Sequence, residues 1–271
     1  MPLIGDDFHF ENLKKKVMED VGFQTQYYGD RHLKRRFMVR MRVVGANTHR
    51  DYLKYLESDP AEYQKLLEVL TVNVTEWFRN PEVFKAIEKR ILPDIVRTNM
   101  AQGRNSLRIW SVGCSDGKEP YSLAILVNNV IAREDDFTAK IIAWDIDEQM
   151  LKIARFGLYT QGAMKGLEKR QIQLYFVKEG EGFRIRPEIR SIVDFNNRDI
   201  NKDIPLRGLD LILCRNLVIY FNPERKADLY MELYNSLRSN GYFVMGKSET
   251  LMGESQMAFK KVDNVNRIYQ K

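Results

Sequence analysis

The chain has 271 residues, room for one large or two modest domains. With 44% hydrophobic and 30% charged residues its composition is that of a globular protein, and no apolar run approaches the ~20 residues of a membrane span. The N-terminus has no apolar signal core, so the cytoplasm is the expected compartment and membrane insertion is not expected. Cys114 and Cys214 stand apart with no C-x-x-C, and the three histidines all fall in the first 50 residues. A metal site or disulfide framework is therefore not expected, and both thiols read as reduced and partly buried. The net charge of +6 admits a nucleic acid, a membrane surface or an acidic protein as partner, and its placement must decide.

Residues 1–70 read as an all-helical domain. Apolar residues recur at helical spacing over 10–21 and 31–44. Asp59-Pro60-Ala61-Glu62 predicts an N-cap, Pro at N1 and Glu at N3, opening a helix through Leu70. Residues 71–104 read as a linker and a helix. That helix starts at Asn80-Pro81, carries Val83, Phe84, Ile87 and Ile91 on one face, and meets a test of its end at Pro93.

From about Leu107 the pattern becomes alternation. Strands are expected over 107–112, 140–145, 209–214 and 241–246, with helices to about Ala132, after Asp147, and over 223–239. Residues 105–271 thus predict a parallel, doubly wound α/β sheet, ended by a hairpin of two short strands around Asp263-Asn264. Residues 159–195 break the alternation with glycines and short β-like pieces, including 183–186 and 192–195, and read as a small inserted β-subdomain.

Ligands of open α/β sheets bind beyond the carboxyl ends of the strands. There the chain reads IWSVGCSDGKEPYSLAI over 109–125: a strand, a loop with Gly113 and Gly117, and a helix. The loop has neither the G-x-G-x-x-G spacing of a dinucleotide site nor the G-K-[ST] of a P-loop. Asp116 and Glu119 in the first helical turn suit a cationic ligand better than a pyrophosphate. Asp145, ending the next strand, can accept from both ribose hydroxyls; the competing reading is a helix cap or turn residue. Polar segments 197–200 and 214–216 end two later strands. Together they suggest an adenosine without phosphates, and S-adenosylmethionine (SAM), with its sulfonium and amino groups, fits.

Four ordered segments, NVTEWFRN from Asn73, SVGCSDGKEPYS from Ser111, AWDID from Ala143 and CRNLVIYF from Cys214, resemble the chemotaxis receptor methyltransferases, the CheR family. The resemblance spans nearly the whole chain. It implies a SAM-dependent methyltransferase fold with an N-terminal helical domain, and transfer of the SAM methyl group to receptor glutamates. The products are a glutamate methyl ester and S-adenosylhomocysteine. Carried over residue by residue, Asn73, Thr75 and Arg79 line the cofactor site from the linker, with Glu119 and Asp145 binding from the first two loops. Asp199, Ile200, Arg215 and Asn216 complete it; Asp199 stands where family members often carry Asn. Arg79 and Tyr220 fall at the reacting end. Without the resemblance, Arg79 reads rather as a salt-bridge partner of Glu76 or Glu82, and Tyr220 as a core aromatic.

A glutamate nucleophile has a pKa near ~4.3 and is already ionised at neutral pH, so the absence of a general base does not count against an enzyme. Catalysis then rests on positioning, with Arg79 orienting the carboxylate and Tyr220 donating its hydroxyl.

Residues 1–70 hold 12 Lys+Arg and 11 Asp+Glu, a balance of +1, yet 31–42 hold six of those basic residues and no acid. Leu33, Phe37, Met41 and Val44 form the apolar stripe of a helix, which puts Arg31, Arg35 and Arg42 on the other face. Alone this is a solvated face. The family resemblance makes it the dock for the acidic methylation helices of receptors. In some family members the β-subdomain binds a receptor C-terminal pentapeptide through an extra glycine-containing loop; here 177–183 is short, and dependence on that tether is not expected.

Two rival functions compete with this one. A nucleic-acid methyltransferase lacks its [DNS]-P-P-[YFW] signature here, and a non-catalytic SAM-sensing module does not need the intact set Arg79, Glu119, Asp145 and Tyr220. Neither nucleic acid nor membrane is the expected partner.

Overall fold

A computed structural model describes residues 4–132, 134 and 136–271. The chain forms two compact units. One holds the helices up to Val72 together with Tyr220–Lys226; the other comprises Asn73–Ile219 and Ala227–Lys271.

The first unit is helical: α1 (Ile4–Val21), α2 (Asp30–Val44), α3 (His49–Ser58) and α4 (Glu62–Leu70). Phe10, Leu13 and Val17 of α1, Leu33 and Phe37 of α2, Tyr52 and Leu56 of α3, and Leu66 and Leu70 of α4 are buried together as its core. Helix α3 was not expected from periodicity. Its start is nonetheless written locally, because Thr48 and Asp51 form a reciprocal capping box. Helix α4 starts later than expected. Asp59 accepts from the Ala61 N–H at 3.2 Å and closes a turn, and Glu62 begins the helix instead of sitting at N3. Its fully buried carboxylate takes both prongs of Arg40, at 2.7 and 2.8 Å, and the Tyr52 hydroxyl at 3.0 Å.

In the second unit, α5 (Pro81–Ala86), a π-helical turn over Ile87–Ile91 and α6 (Leu92–Ala101) run on without a break. Pro93 therefore does not end the helix. It has no N–H to offer the Lys89 carbonyl, and the wide turn just before it relieves that mismatch. Then follow β1 (Ser106–Val112), α7 (Lys118–Ile131), β2 (Thr138–Asp145), α8 (Glu148–Phe156), β3 (Leu158–Thr160), α9 (Lys169–Tyr175), β4 (Phe176–Glu179), β5 (Gly182–Ile185), α10 (Pro187–Arg190), β6 (Val193–Asn197), β7 (Leu209–Cys214), α11 (Pro223–Ser236), β8 (Leu237–Met245), α12 (Ser255–Ala258), β9 (Lys260–Asp263) and β10 (Ile268–Gln270).

Seven strands make one sheet in the order β6-β2-β1-β7-β8-β10-β9. The pairs from β6 through β8 are parallel, and β10 runs antiparallel to both β8 and β9. The second sheet, β3-β5-β4, is antiparallel and small. One expected piece of the insertion belongs elsewhere. Residues 192–195 do not join the small sheet; β6 is the edge of the large one, where Phe195 faces Ala143 in register. Its sequence looked isolated because its partner β2 precedes it by some fifty positions. The strand order turns at β1, flanked by β2 and β7, so a crevice is expected beyond the carboxyl ends of these strands.

Candidate cofactor site

The loop after β1 is held in a backbone shape few residues tolerate. Gly113, Ser115 and Gly117 all have positive φ, at 75°, 48° and 90°. The Gly113 and Cys114 N–H groups both donate to the Trp144 carbonyl, at 2.9 and 3.0 Å, which ties this loop to the end of β2. Gly117 is required twice over. Its φ excludes most side chains, and an added Cβ would lie 2.9 Å from Ala154 and 3.1 Å from Phe195.

Asp145 ends β2 beside this loop. Its Oδ2 accepts from the Ser115 N–H at 2.7 Å and its Oδ1 from the Asp147 N–H at 2.9 Å. It is deep among protein atoms yet keeps a solvent-reachable face, as a group lining a cleft does. Burial pushes its pKa up to about 6, against the pull of the two amide bonds. The helix cap is a different residue. Asp147 accepts from the Gln149 and Met150 N–H groups at 2.9 and 3.1 Å, and also from the Asn73 amide at 2.7 Å. Capping thus leaves Asp145 available, and each of its oxygens retains a lone pair for a hydroxyl.

Glu119, at the second position of α7, accepts from the Ser111 hydroxyl at 3.0 Å and pairs with Arg215 at 3.2 Å. Arg215 follows β7 and its side chain is almost wholly buried. It also donates at 2.8 Å to the Arg79 carbonyl and to the Asn80 side chain, and lies 5.4 Å from the Phe84 ring. It therefore braces the loop after β1 against the 73–80 segment. Asn216 beside it adopts a left-handed φ of 59°. Asp199 Oδ1 accepts from the Asn201 N–H at 2.8 Å and shapes the turn after β6, with Ile200 buried next to it.

The 73–80 segment is pinned from several sides. Trp77 is buried, donates to the Ala163 carbonyl at 2.9 Å and meets Tyr159 and Phe176 edge-on. The Phe78 N–H donates to the Ser122 hydroxyl at 3.0 Å. Phe78 and Asn80 both have positive φ, at 48° and 61°, a strain that persists only where the surroundings dictate it. These contacts set where Arg79 emerges. Its guanidinium reaches the Val74 carbonyl at 3.2 Å, and among the described residues it has no ion pair with Glu76 or Glu82. Glu82 pairs with Lys247 instead. Thr75 is half-buried on the same segment.

Tyr220 belongs to the helical unit, as do Arg31, Arg35 and Arg42, which are exposed on α2. Ser115 and Glu249 were not among the residues expected from the sequence, and neither was the role that Arg215 takes. The Ser115 hydroxyl is buried with no partner, a donor left over beside Asp145. Arg215 serves as a brace, for which a lone R-N dipeptide gives no signal. Glu249 is buried after β8 and accepts from the Gly246 N–H at 2.5 Å, with the amides of Asn216, Val218 and Ile219 around its carboxylate. Burial raises its pKa despite those amides.

The donor set fits SAM. Two carboxylates, an orphaned hydroxyl and main chain without bulk gather around the loop after β1, and no phosphate-binding lysine motif is present. Residues 73–268 match the family model described as "CheR methyltransferase, SAM binding domain", and residues 9–71 the one described as "CheR methyltransferase, all-alpha domain". The chain belongs to the CheR methyltransferase family. This CheR-family chain has the SAM-dependent methyltransferase fold, uses SAM as its cofactor, and is a methyltransferase of chemotaxis. It is 31% identical over 252 residues to a chemotaxis protein methyltransferase of Listeria innocua, covering 92% of each chain. A second, from Pseudomonas aeruginosa, is 34% identical over 201 residues, covering 69% of this chain and 70% of that one. No helix among the described residues is long and apolar enough to cross a membrane.

Proposed function

We propose that the enzyme methylates glutamate side chains of chemotaxis receptors, forming a glutamate methyl ester and S-adenosylhomocysteine. The observation that carries this reading is the exposed row Arg31, Arg35 and Arg42 on α2, and an ionised glutamate acceptor needs no general base. An acidic receptor helix gains steering and register from such a row.

When bound, SAM supplies an electrophilic methyl group. Asp145 would accept from the ribose hydroxyls, Glu119 would offer its carboxylate to the cationic ligand, and Gly113 and Gly117 would let the backbone approach it. Asn73, Thr75, Asp199, Ile200, Arg215 and Asn216 complete the enclosure. The acceptor carboxylate arrives ionised, so no proton has to be removed. Arg79 orients it by a charge-assisted bond, and Tyr220 donates its hydroxyl at the reacting end. The domain roles follow: 1–70 docks the receptor, 71–104 contributes to the cofactor site, and 105–271 binds SAM. A cytoplasmic location agrees with this substrate.

The hairpin between β4 and β5 turns through Gly180 and Glu181 alone, with Gly180 at φ 56°. This supports methylation that does not depend on a receptor C-terminal pentapeptide; tight binding of that peptide to the isolated protein would refute it.

The test of the main reading is transfer of labelled methyl from SAM to receptor cytoplasmic fragments, followed by mild base. Base-labile label on glutamate is the expected result. SAM binding without transfer overturns the proposed acceptor.

A further inference from the structure

The short segment that carries Tyr220 leaves β7 and groups with the helical unit. Main-chain bonds attach it there. The Gly29 N–H donates to the Tyr220 carbonyl at 2.9 Å, and the Asn222 N–H to the Tyr27 carbonyl at 2.9 Å. The Asn222 amide adds a bond to the Gln26 carbonyl at 2.8 Å. Tyr28 and Phe221 form an antiparallel bridge, with their rings edge to face at 5.0 Å. Gly29 is the N-cap of α2, so the backbone of Tyr220 is fastened to the first turn of the arginine-bearing helix.

The ring of Tyr220 is fastened there too. It lies on the imidazole of His32, with centroids 4.6 Å apart and planes 42° apart, and the same imidazole stacks on Tyr28 at 6.1 Å. His32 stands between Arg31 and the Arg35 turn of α2. Its Nε2 has no partner, and its other ring nitrogen donates to the Leu70 carbonyl at the end of α4. Burial holds its pKa down at about 4, with the Arg36 and Arg35 charges adding to the effect, so the ring stays neutral. A neutral flat ring with one anchoring hydrogen bond has no evident use in docking an anion. It does set the plane against which Tyr220 rests.

We infer that His32 is a positioning residue that holds the Tyr220 ring to the first turn of α2, so that the acceptor-docking helix and the reactive-end hydroxyl form one rigid piece. This rests on the proposed role of Tyr220. Loss of the ring should misplace the hydroxyl and slow the chemical step, while the exposed arginines and the SAM crevice remain intact.

The experiment measures methyl transfer to receptor fragments by the full chain carrying His32→Leu, His32→Phe or Tyr220→Phe, with SAM affinity measured by calorimetry. His32→Leu should lower kcat about tenfold and leave the fragment KM and SAM affinity within about twofold. His32→Phe, which keeps a flat ring, should recover most of kcat. In the Tyr220→Phe background His32→Leu should cost nothing further, because residues acting through one group are not additive. Should His32→Leu not fold, His32→Asn keeps a donor near the Nδ1 position without the ring and is read the same way. Unchanged kcat in His32→Leu, with Tyr220→Phe impaired, overturns the inference and spares the role of Tyr220. Unchanged kcat in Tyr220→Phe overturns both.

Discussion

The crevice around Asp145 and the outer face of α2 both use charge, in opposite ways. At Asp145 the charge is deep, each oxygen is held by a backbone N–H, and the neighbouring loop is locked by three positive-φ residues. On α2, Arg31, Arg35 and Arg42 project into solvent. Arg40 on the same helix shows what a held charge looks like, with its guanidinium closed bidentately on the buried Glu62. A cofactor of one fixed shape rewards a rigid, desolvated site. An acceptor helix presenting several glutamates rewards exposed charges that tolerate more than one register.

The largest effect should come from breaking a held charge. Glu62→Ala strands Arg40 and the Tyr52 hydroxyl, and should cost about 3–5 kcal/mol of stability, read by denaturant unfolding. A loss below 1 kcal/mol would show that Arg40 is as free as its neighbours. Asp145→Ala should follow, weakening SAM binding by about 10–100-fold through loss of the proposed ribose bonds, with calorimetry as the check.

The pH dependence sharpens the same contrast. The folded-state pKa of Asp145, about 6, lies above its ordinary value of 3.8. Between these values the folded protein binds more protons than the unfolded one, so this group's contribution to stability is present at low pH and is lost as pH rises through about 6. SAM affinity should move the other way, weakening as pH falls below about 6, and Asp145→Asn should flatten that profile. The smallest effects belong to the exposed face. Arg31→Ala, Arg35→Ala and Arg42→Ala should each raise the receptor-fragment KM by only a few fold, less at high salt, with SAM affinity unchanged. A tenfold change in SAM affinity from any of them would erase the distinction between the two regions.

How much of this was legible differs by the kind of signal. Periodicity and punctuation found the strands of the large sheet down to the C-terminal hairpin, because a buried parallel strand is a short apolar run and a turn needs particular residues. Pairing over distance was not legible. Nothing in the residues 192–195 says that their partner is β2, and nothing around Glu62 says that its carboxylate faces Arg40. The ordered motifs picked out the candidate residues, but not the division of labour between Asp145 and Asp147. That depends on which carboxylate reaches the free N–H groups of α8.

The sequence by itself determined the alternation of strand and helix, the glycine loop, the carboxylates at two strand ends and the arginine row, since each is a local pattern of residue types. Tertiary structure alone decided that Arg215 is a buried brace, that Glu249 gathers the amides after β7, and that Tyr220 rests on His32. Those three join residues dozens to nearly two hundred positions apart. Burial and hydrogen bonding act through space, and one chain read along its length carries no record of which distant groups will share it.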